Sequence, residues 1–331
     1  PFGTDDEGLT RAGARLAGRE EILATAGVVL LPKPLSSDLE QLRESGILWG
    51  WPHCVQQREI TQVAIDRRQT LIAWEAMFLW KGGMRDMHLF YRNNEMAGYC
   101  SVIHALACAG MDGHYGESLK TVVLSFGSVS RGAIRALRGR GFGDISVYTQ
   151  RPAWAVKDQV MGCRHGQMVD TPEGMVVEEE SGAREPLVEV LSRADVIVNG
   201  ILQDTERPLM FVREDQVQRL KPGSVIIDVS CDLGMGFPFA KPTSFEAPAF
   251  QVEGVTYYGV DHSPSYLWRS ASWELSRSVR PYLETVMGGP TLWDQDETIS
   301  RAIEIREGHV LNERILSFQD RAAEYPHAPT R

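Results

Sequence analysis

The sequence predicts an α/β protein with parallel sheets, and three observations predict it. Short apolar runs alternate with stretches of helical spacing along most of the chain. Residues 121–151 compress strand, small-residue turn, helix and strand into about thirty residues, the outline of one βαβ unit. With 331 residues, the chain is long enough for two separate cores.

Composition narrows the class. A net charge of −10 without any basic run argues against nucleic acid and anionic membranes as partners. No apolar stretch is long enough to span a bilayer. The five cysteines, Cys54, Cys100, Cys108, Cys163 and Cys231, are scattered and form no CxxC pair. That pattern fits reduced thiols and a cytoplasmic location better than a disulfide framework or a zinc site, so no metal is expected. No secretory signal opens the sequence.

Taken in order, residues 1–7 read as the interior of a loop. A strand at 14–16, a helix at 19–26 and a strand at 28–31 follow, then Lys33 between Pro32 and Pro34. The pattern repeats with a helix at 38–45, a strand at 47–51 and His53 just beyond it. A helix at 59–67 and a strand at 70–73 end at Trp74 and Glu75. Asn94 is placed to cap a long helix at 95–109, and the glycine-rich 109–117 reads as a linker. Strands at 121–124 and 145–148 flank a helix at 131–140. The polar stretch 154–185 reads as irregular, with Glu178, Glu179 and Glu180 in a solvated loop. Further helices fall at 187–192 and 213–220, and strands at 195–198, 224–228 and 255–260. A glycine-rich loop occupies 230–236. Residues 267–286 are helical with a kink at Pro281, 297–307 are helical, and 325–331 form a disordered tail.

Three features of this pattern carry chemistry. Ser125, Gly127, Ser128, Val129 and Ser130 form a small-residue turn between a strand and a helix N-terminus, where free N–H groups can meet a pyrophosphate. Only Gly127 keeps its place in G-x-G-x-x-G; Ser125 and Ser130 stand at the other two glycine positions, and an ordinary βα turn has the same outline. Ala133 and Ile134 exclude a P-loop, which needs Lys-Ser/Thr there. Lys33 and His53 follow successive strands at one sheet edge, where open α/β folds bind ligands. Each also has a plain reading, as a solvated lysine and a hydrogen-bonded histidine. At the end of the second strand of the βαβ unit, Thr149 stands where an NAD-selective fold has an acid, and Arg151 follows. A 2′-phosphate would be tolerated there, which points to NADPH.

Four stretches carry a family resemblance: LIAWEAM at 71–77, NNEMAGY at 93–99, KPGSVIIDV at 221–229 with Asp232, and VDHSP at 260–264. The chain resembles the alanine dehydrogenase/pyridine nucleotide transhydrogenase superfamily, and within it the N5-(carboxyethyl)ornithine synthase branch. The resemblance implies two Rossmann-like domains, a catalytic one from 1–117 and 264–331 and a dinucleotide-binding one inserted at 118–263. Long helices near 95–110 and 265–285 would join them. It implies catalytic roles for Lys33, His53 and Asp232, the last beside the nicotinamide, and a cofactor-side position for His262. Lys33, His53, Trp74, Glu75 and Asn94 become the substrate-binding set. The superfamily also carries an opening strand–helix–strand with a carboxylate-binding arginine, expected ahead of Pro1.

The implied activity is NADPH-dependent condensation of a 2-oxo acid, pyruvate, with the side-chain amine of ornithine or a similar amino acid, in a homo-oligomer. The carbinolamine must lose water before hydride reaches the imine carbon, and both steps need a group exchanging protons near neutral pH. His53 suits this. Lys33 would do so if desolvated by Pro32, Pro34 and Leu31, or would otherwise stay charged and polarise the keto oxygen. An alanine or saccharopine dehydrogenase is the neighbouring alternative, and a non-catalytic dinucleotide sensor the one from another class.

Overall fold

A computed structural model describes residues 5–179, 181–203 and 207–330. The chain forms two compact units, Pro1–Phe90 with Trp273–Arg331, and Tyr91–Ser272.

The first unit begins with helices α1 (Asp6–Arg11) and α2 (Arg19–Thr25), then β1 (Val28–Leu31), α3 (Ser36–Gln41), β2 (Ile47–Gly50), α4 (Arg58–Asp66) and β3 (Thr70–Ala73). A hairpin of β4 (Phe78–Lys81) and β5 (Met84–His88) follows. The second unit contains α5 (Tyr91–Ala109), β6 (Lys120–Leu124), α6 (Ser128–Gly139), β7 (Asp144–Thr149), β8 (Cys163–Thr171), β9 (Gly174–Glu179) and β10 (Arg184–Pro186). It continues with α7 (Leu187–Leu191), β11 (Val196–Asn199), β12 (Val225–Asp228), β13 (Ala249–Val252) and β14 (Val255–Tyr258). After α8 (Trp268–Val279), the first unit is completed by α9 (Leu283–Met287), α10 (Pro290–Trp293), α11 (Glu297–Ser300), β15 (Ile303–Arg306), β16 (His309–Val310) and α12 (Glu313–Gln319).

The first sheet runs β1-β2-β3-β15-β16, parallel over its first three strands, with β15 antiparallel to β3. The second runs β10-β9-β8-β7-β6-β11-β12-β14-β13 and is parallel from β8 to β14. Its central strands are buried on both faces, which is why β11 and β12 read as continuous aliphatic runs rather than alternating ones.

Helix α5 belongs to the second unit because its backbone lies directly against α6. A Cβ on Gly98 would stand 1.9 Å from the Val129 carbonyl oxygen, and one on Gly132 would stand 1.8 Å from the Glu95 carbonyl oxygen. Arg135 then pairs with the Glu95 carboxylate at 2.7 Å. Two reciprocal glycines allow a helix approach that any side chain would prevent.

Several sequence expectations are corrected. Residues 14–16 form no strand; they are exposed, and Arg15 pairs with Glu21 instead. Helix α5 starts at Tyr91, so Asn94 lies within its first turn and caps nothing. The stretch 154–185 holds β8, β9 and β10, with Met168, Met175 and Val177 turned into the core. Glu178 and Glu179 are strand residues, whereas Glu180 lies outside the described residues. The helix expected at 297–307 stops at Ser300; Ile303 and Ile305 then pair with β3. Residues 213–220 hold only a 3-10 turn, Glu214–Arg219. The tail is ordered through Thr330: His327 is buried, its Nε2 accepting the Val310 N–H at 3.1 Å, and Arg321 bridges Pro329.

Candidate active site

In the first unit, strands β1, β2 and β3 deliver three groups to one sheet edge. Lys33 follows β1, His53 follows β2, and Glu75 lies in the 3-10 turn Trp74–Ala76 directly after β3. The first two loops are tied together, because the Trp51 N–H donates to the Pro32 carbonyl at 3.1 Å. Gly50 makes this possible: a Cβ there would lie 1.9 Å from the Leu31 carbonyl oxygen. Lys33 is exposed, so Pro32, Pro34 and Leu31 do not bury it.

His53 adopts a left-handed backbone, φ 49°, an uncommon state for a residue with a side chain. What holds it there is Glu75. The His53 N–H donates to Glu75 Oε1 at 2.7 Å, and its Nδ1 lies 3.9 Å from the same oxygen. His88, which the sequence reading passed over, fixes the turn in place. Its Nδ1 accepts the Phe90 N–H at 3.1 Å, so its Nε2 carries the hydrogen that faces the Glu75 carbonyl at 3.3 Å. Burial lowers the His88 pKa and so favours this neutral form.

Glu75 is half-buried, and its pKa is pushed up to about 8, first by burial and then by the charge of Glu304. Glu304, on β15, is itself buried and raised by that burial, and the Cys54 thiol hydrogen-bonded to it is pushed up first by burial and then by the charges of Glu304 and Glu75. No local signal marks Glu304, since it arrives from the far end of the chain. Trp74 is corrected from a substrate contact to a core residue. It is 1% exposed, stacked on Phe90 at 4.9 Å and edge-on to Trp51 at 4.8 Å, and so forms the floor beneath the loops.

In the second unit, the turn between β6 and α6 has the features of a dinucleotide cradle. Helix α6 begins without a side-chain cap, and its first turn carries no acid. A Cβ on Gly127 would meet only Ser125 Oγ, at 3.8 Å, so the space above the turn is open. Ser125 takes the left-handed backbone, φ 89°, that the first glycine of the motif normally supplies. Ser130 is buried at the third position, and Gly200 at the end of β11 yields the room, since a Cβ there would lie 2.6 Å from Ser130 Oγ. One close-packing glycine has thus moved to the facing strand. Gly127 is exposed, and Ser128 and Val129, half-buried, open the helix N-terminus. These residues fit a bound nicotinamide dinucleotide.

Thr149 ends β7, buried, with its Oγ1 accepting the Arg151 N–H at 3.5 Å, while the Arg151 side chain is exposed. The loop bearing Asp232 is pinned by Asp228, which accepts from Asn199 Nδ2 at 2.9 Å, the Cys231 N–H at 2.9 Å and Tyr257 Oη at 3.0 Å. Even so, burial lifts Asp228 to about 6, and it raises the half-buried Asp232 as well. His262 follows β14, with its Nδ1 2.5 Å from Asp261 Oδ1 and its ring 5.0 Å from Phe245. Asn94 is half-buried in α5. Asn199 and Tyr257 are the functional-site supports that strand pattern alone conceals.

Known proteins share this fold. The chain is 25% identical over 326 residues to the alanine dehydrogenase of Mycobacterium tuberculosis, spanning 94% of this chain and 84% of that protein. It is 23% identical over 324 residues to alanine dehydrogenase 1 of Staphylococcus aureus, spanning 96% and 86%. Among solved structures, an L-alanine dehydrogenase matches with TM-score 0.76 at 20% identity, covering 96% of this chain and 87% of that one. A transhydrogenase from Sinorhizobium meliloti matches with TM-score 0.68 at 20% identity, covering 94% and 86%. The family model for the alanine dehydrogenase/PNT C-terminal domain matches residues 105–313, most of the chain, and the protein belongs to the alanine dehydrogenase/pyridine nucleotide transhydrogenase family.

Proposed function

We propose that the protein is a nicotinamide-dinucleotide-dependent oxidoreductase that interconverts a 2-oxo acid and an amine with an amino acid, in the manner of an alanine dehydrogenase. The observation that carries this reading is His53, held in a left-handed loop by Glu75 beside the Lys33 loop at one sheet edge. The names of the relatives support the same reaction class. When bound, the cofactor supplies or accepts the hydride.

The chain's own residues do the rest. The Lys33 ammonium polarises the keto oxygen of the 2-oxo acid. His53 exchanges protons with the carbinolamine oxygen as water departs, and again with the nitrogen of the product. Per turnover in the reductive direction, 2-oxo acid, ammonium, reduced cofactor and a proton give amino acid, oxidised cofactor and water. Asp228 orders the loop that carries Asp232; when the cofactor is bound, Asp232 would lie on the nicotinamide side and the Ser125–Ser130 turn would hold the pyrophosphate.

A second reading is opine-type condensation with an organic amine such as ornithine. It is supported by the LIAWEAM and NNEMAGY stretches, with NADPH as cofactor because Thr149 and Arg151 replace an acid. Cofactor oxidation followed with pyruvate and ammonia, then with pyruvate and a panel of organic amines, separates the two, with product masses read in parallel. Turnover with ammonia alone supports the alanine dehydrogenase reading; turnover only with an organic amine supports the opine reading. Cofactor binding without any turnover would leave a dinucleotide sensor and refute both.

A further inference from the structure

Leu124, Asn199 and Asp228 are in-register residues at the ends of three adjacent parallel strands, β6, β11 and β12. The dinucleotide turn begins at the next residue, Ser125. These ends are tied side by side, the Gly200 N–H donating to the Leu124 carbonyl at 3.1 Å and the Val229 N–H to the Asn199 carbonyl at 2.9 Å. Asp228 is fully buried, and among the described residues every hydrogen-bond partner of its carboxyl is a neutral donor. Oδ1 accepts Asn199 Nδ2 and the Cys231 N–H, each at 2.9 Å, and Oδ2 accepts the Tyr257 hydroxyl at 3.0 Å. The donors are fixed in turn. Asn199 Oδ1 accepts the Ile201 N–H at 3.1 Å, Cys231 holds a left-handed backbone, φ 43°, and Tyr257 Oη accepts the Lys241 N–H at 3.2 Å.

Only a carboxylate fits this set. A proton on Oδ2 would meet the Tyr257 hydroxyl and turn its hydrogen away; a proton on Oδ1 would displace one of the two N–H donors. Either loses a bond that fixes a loop. The titratable groups packed around Asp228 bring no compensating cation. Tyr257, from β14, is a phenol kept protonated by burial and by the Asp228 charge, Cys231 is a buried thiol, and Asp232 is of like charge. Strand β11 presents only Asn199, and the Lys241 ammonium lies over the Phe250 ring at 4.6 Å. Burial outweighs the three hydrogen bonds, so Asp228 titrates at about 6. The two loops tied by this carboxylate each expose one large apolar side chain, Leu202 at 93% and Leu233 at 76%, an arrangement suited to the face of a nicotinamide ring.

We propose that Asp228 is a positioning residue whose ionised form is required for dinucleotide binding, because the carboxylate locks the loops after β11 and β12 together and a proton on it releases them. This rests on the reading of the β6–α6 turn as a dinucleotide site. Binding then excludes a proton from Asp228, and acid weakens it from the protein side.

Full-length protein titrated with NAD+, whose phosphates keep their charge between pH 5 and pH 8, tests this. Amide hydrogen exchange of the segments after β11 and β12 is followed without cofactor over the same range. Wild type should bind about tenfold more weakly at pH 5 than at pH 7. Its Ile201 and Cys231 amides should lose protection with the same midpoint, near 6. Tyr257→Phe removes a donor to the charged form and should raise both midpoints by about one unit. Asp228→Asn must turn an N–H toward a donor; it should bind NAD+ about tenfold more weakly at pH 7 and lose the pH dependence. Wild-type affinity and protection that stay flat from pH 5 to pH 8 overturn the proposal. So does a Tyr257→Phe protein with a lower Tm and unmoved midpoints, the mark of a merely structural role. If Asp228→Asn does not fold, the Tyr257→Phe midpoints decide. Failure to bind NAD+ or NADP+ at any pH refutes the dinucleotide reading itself, and the exchange midpoints still show whether Asp228 locks the loops.

Discussion

Replacing Gly98 with alanine sets two effects of opposite sign against each other. Gly98 lies in the interior of α5, where alanine is favoured over glycine by about 1 kcal/mol. Against this, the new Cβ would stand 1.9 Å from the Val129 carbonyl oxygen, 2.8 Å from its carbon and 2.9 Å from the Ala133 nitrogen. All three are backbone atoms, so no rotamer change relieves the clash. Helices α5 and α6 would have to part by roughly 1.5 Å to restore ordinary contact. Overpacking costs about 1–3 kcal/mol even where side chains can adjust, and here only backbone can move. The clash wins, and the expected outcome is a net loss of about 2 kcal/mol or more. Urea unfolding followed by tryptophan fluorescence measures it. Gly139→Ala is the control: it ends α6 with nothing within 4 Å of its Cβ, and should hold or gain stability. Because Val129 belongs to the cofactor turn, Gly98→Ala should also weaken dinucleotide binding several-fold. A Gly98→Ala protein at least as stable as wild type would refute the close-packing argument.

Three further outcomes are expected. Glu75 is raised from 4.5 to about 8, so its buried protonated form stabilises the fold fully below about pH 4.5, and that contribution is lost as pH rises toward 8. Glu75→Gln should therefore flatten the decline across that window and leave the variant about 1–3 kcal/mol better off relative to wild type at pH 8 than at pH 5. Parallel stability–pH curves from chemical denaturation would contradict this. Lys33→Met and His53→Ala should each lower kcat about a hundredfold or more with cofactor affinity nearly unchanged, and an unaltered kcat in either returns that residue to a surface role. Arg151→Ala should weaken NADPH binding by about 1.5–3 kcal/mol while sparing NADH; equal losses for both cofactors, or a wild type preferring NADH, would remove Arg151 from the 2′-phosphate.

Local pattern alone placed a good part of this protein. The apolar runs at 28–31 and 70–73 are strands with those same bounds; β3 is continuously apolar beyond Thr70 because both its faces are buried, whereas β1 is an edge strand with Leu30 exposed. The strand–turn–helix at 121–139 is equally local, and so is the position of Lys33 and His53 at adjacent strand ends. What sequence did not disclose depends on partners far away in the chain. Ile299, Ala302 and Ile303 keep helical spacing, and only the open edge of β3 draws 303–306 into a strand. Strands β8 and β9 alternate weakly, and they exist because β7 offers them a ladder. The displaced glycine of the cofactor turn, Gly200, is visible only once β11 lies beside α6. Glu75 and Glu304 are two ordinary acids in the sequence. Backbone periodicity is a property of neighbours along the chain, whereas burial and charge–charge repulsion are properties of neighbours in space. The tertiary structure alone therefore decided that burial and the charge of Glu304, from the far end of the chain, raise the carboxyl that holds the His53 N–H.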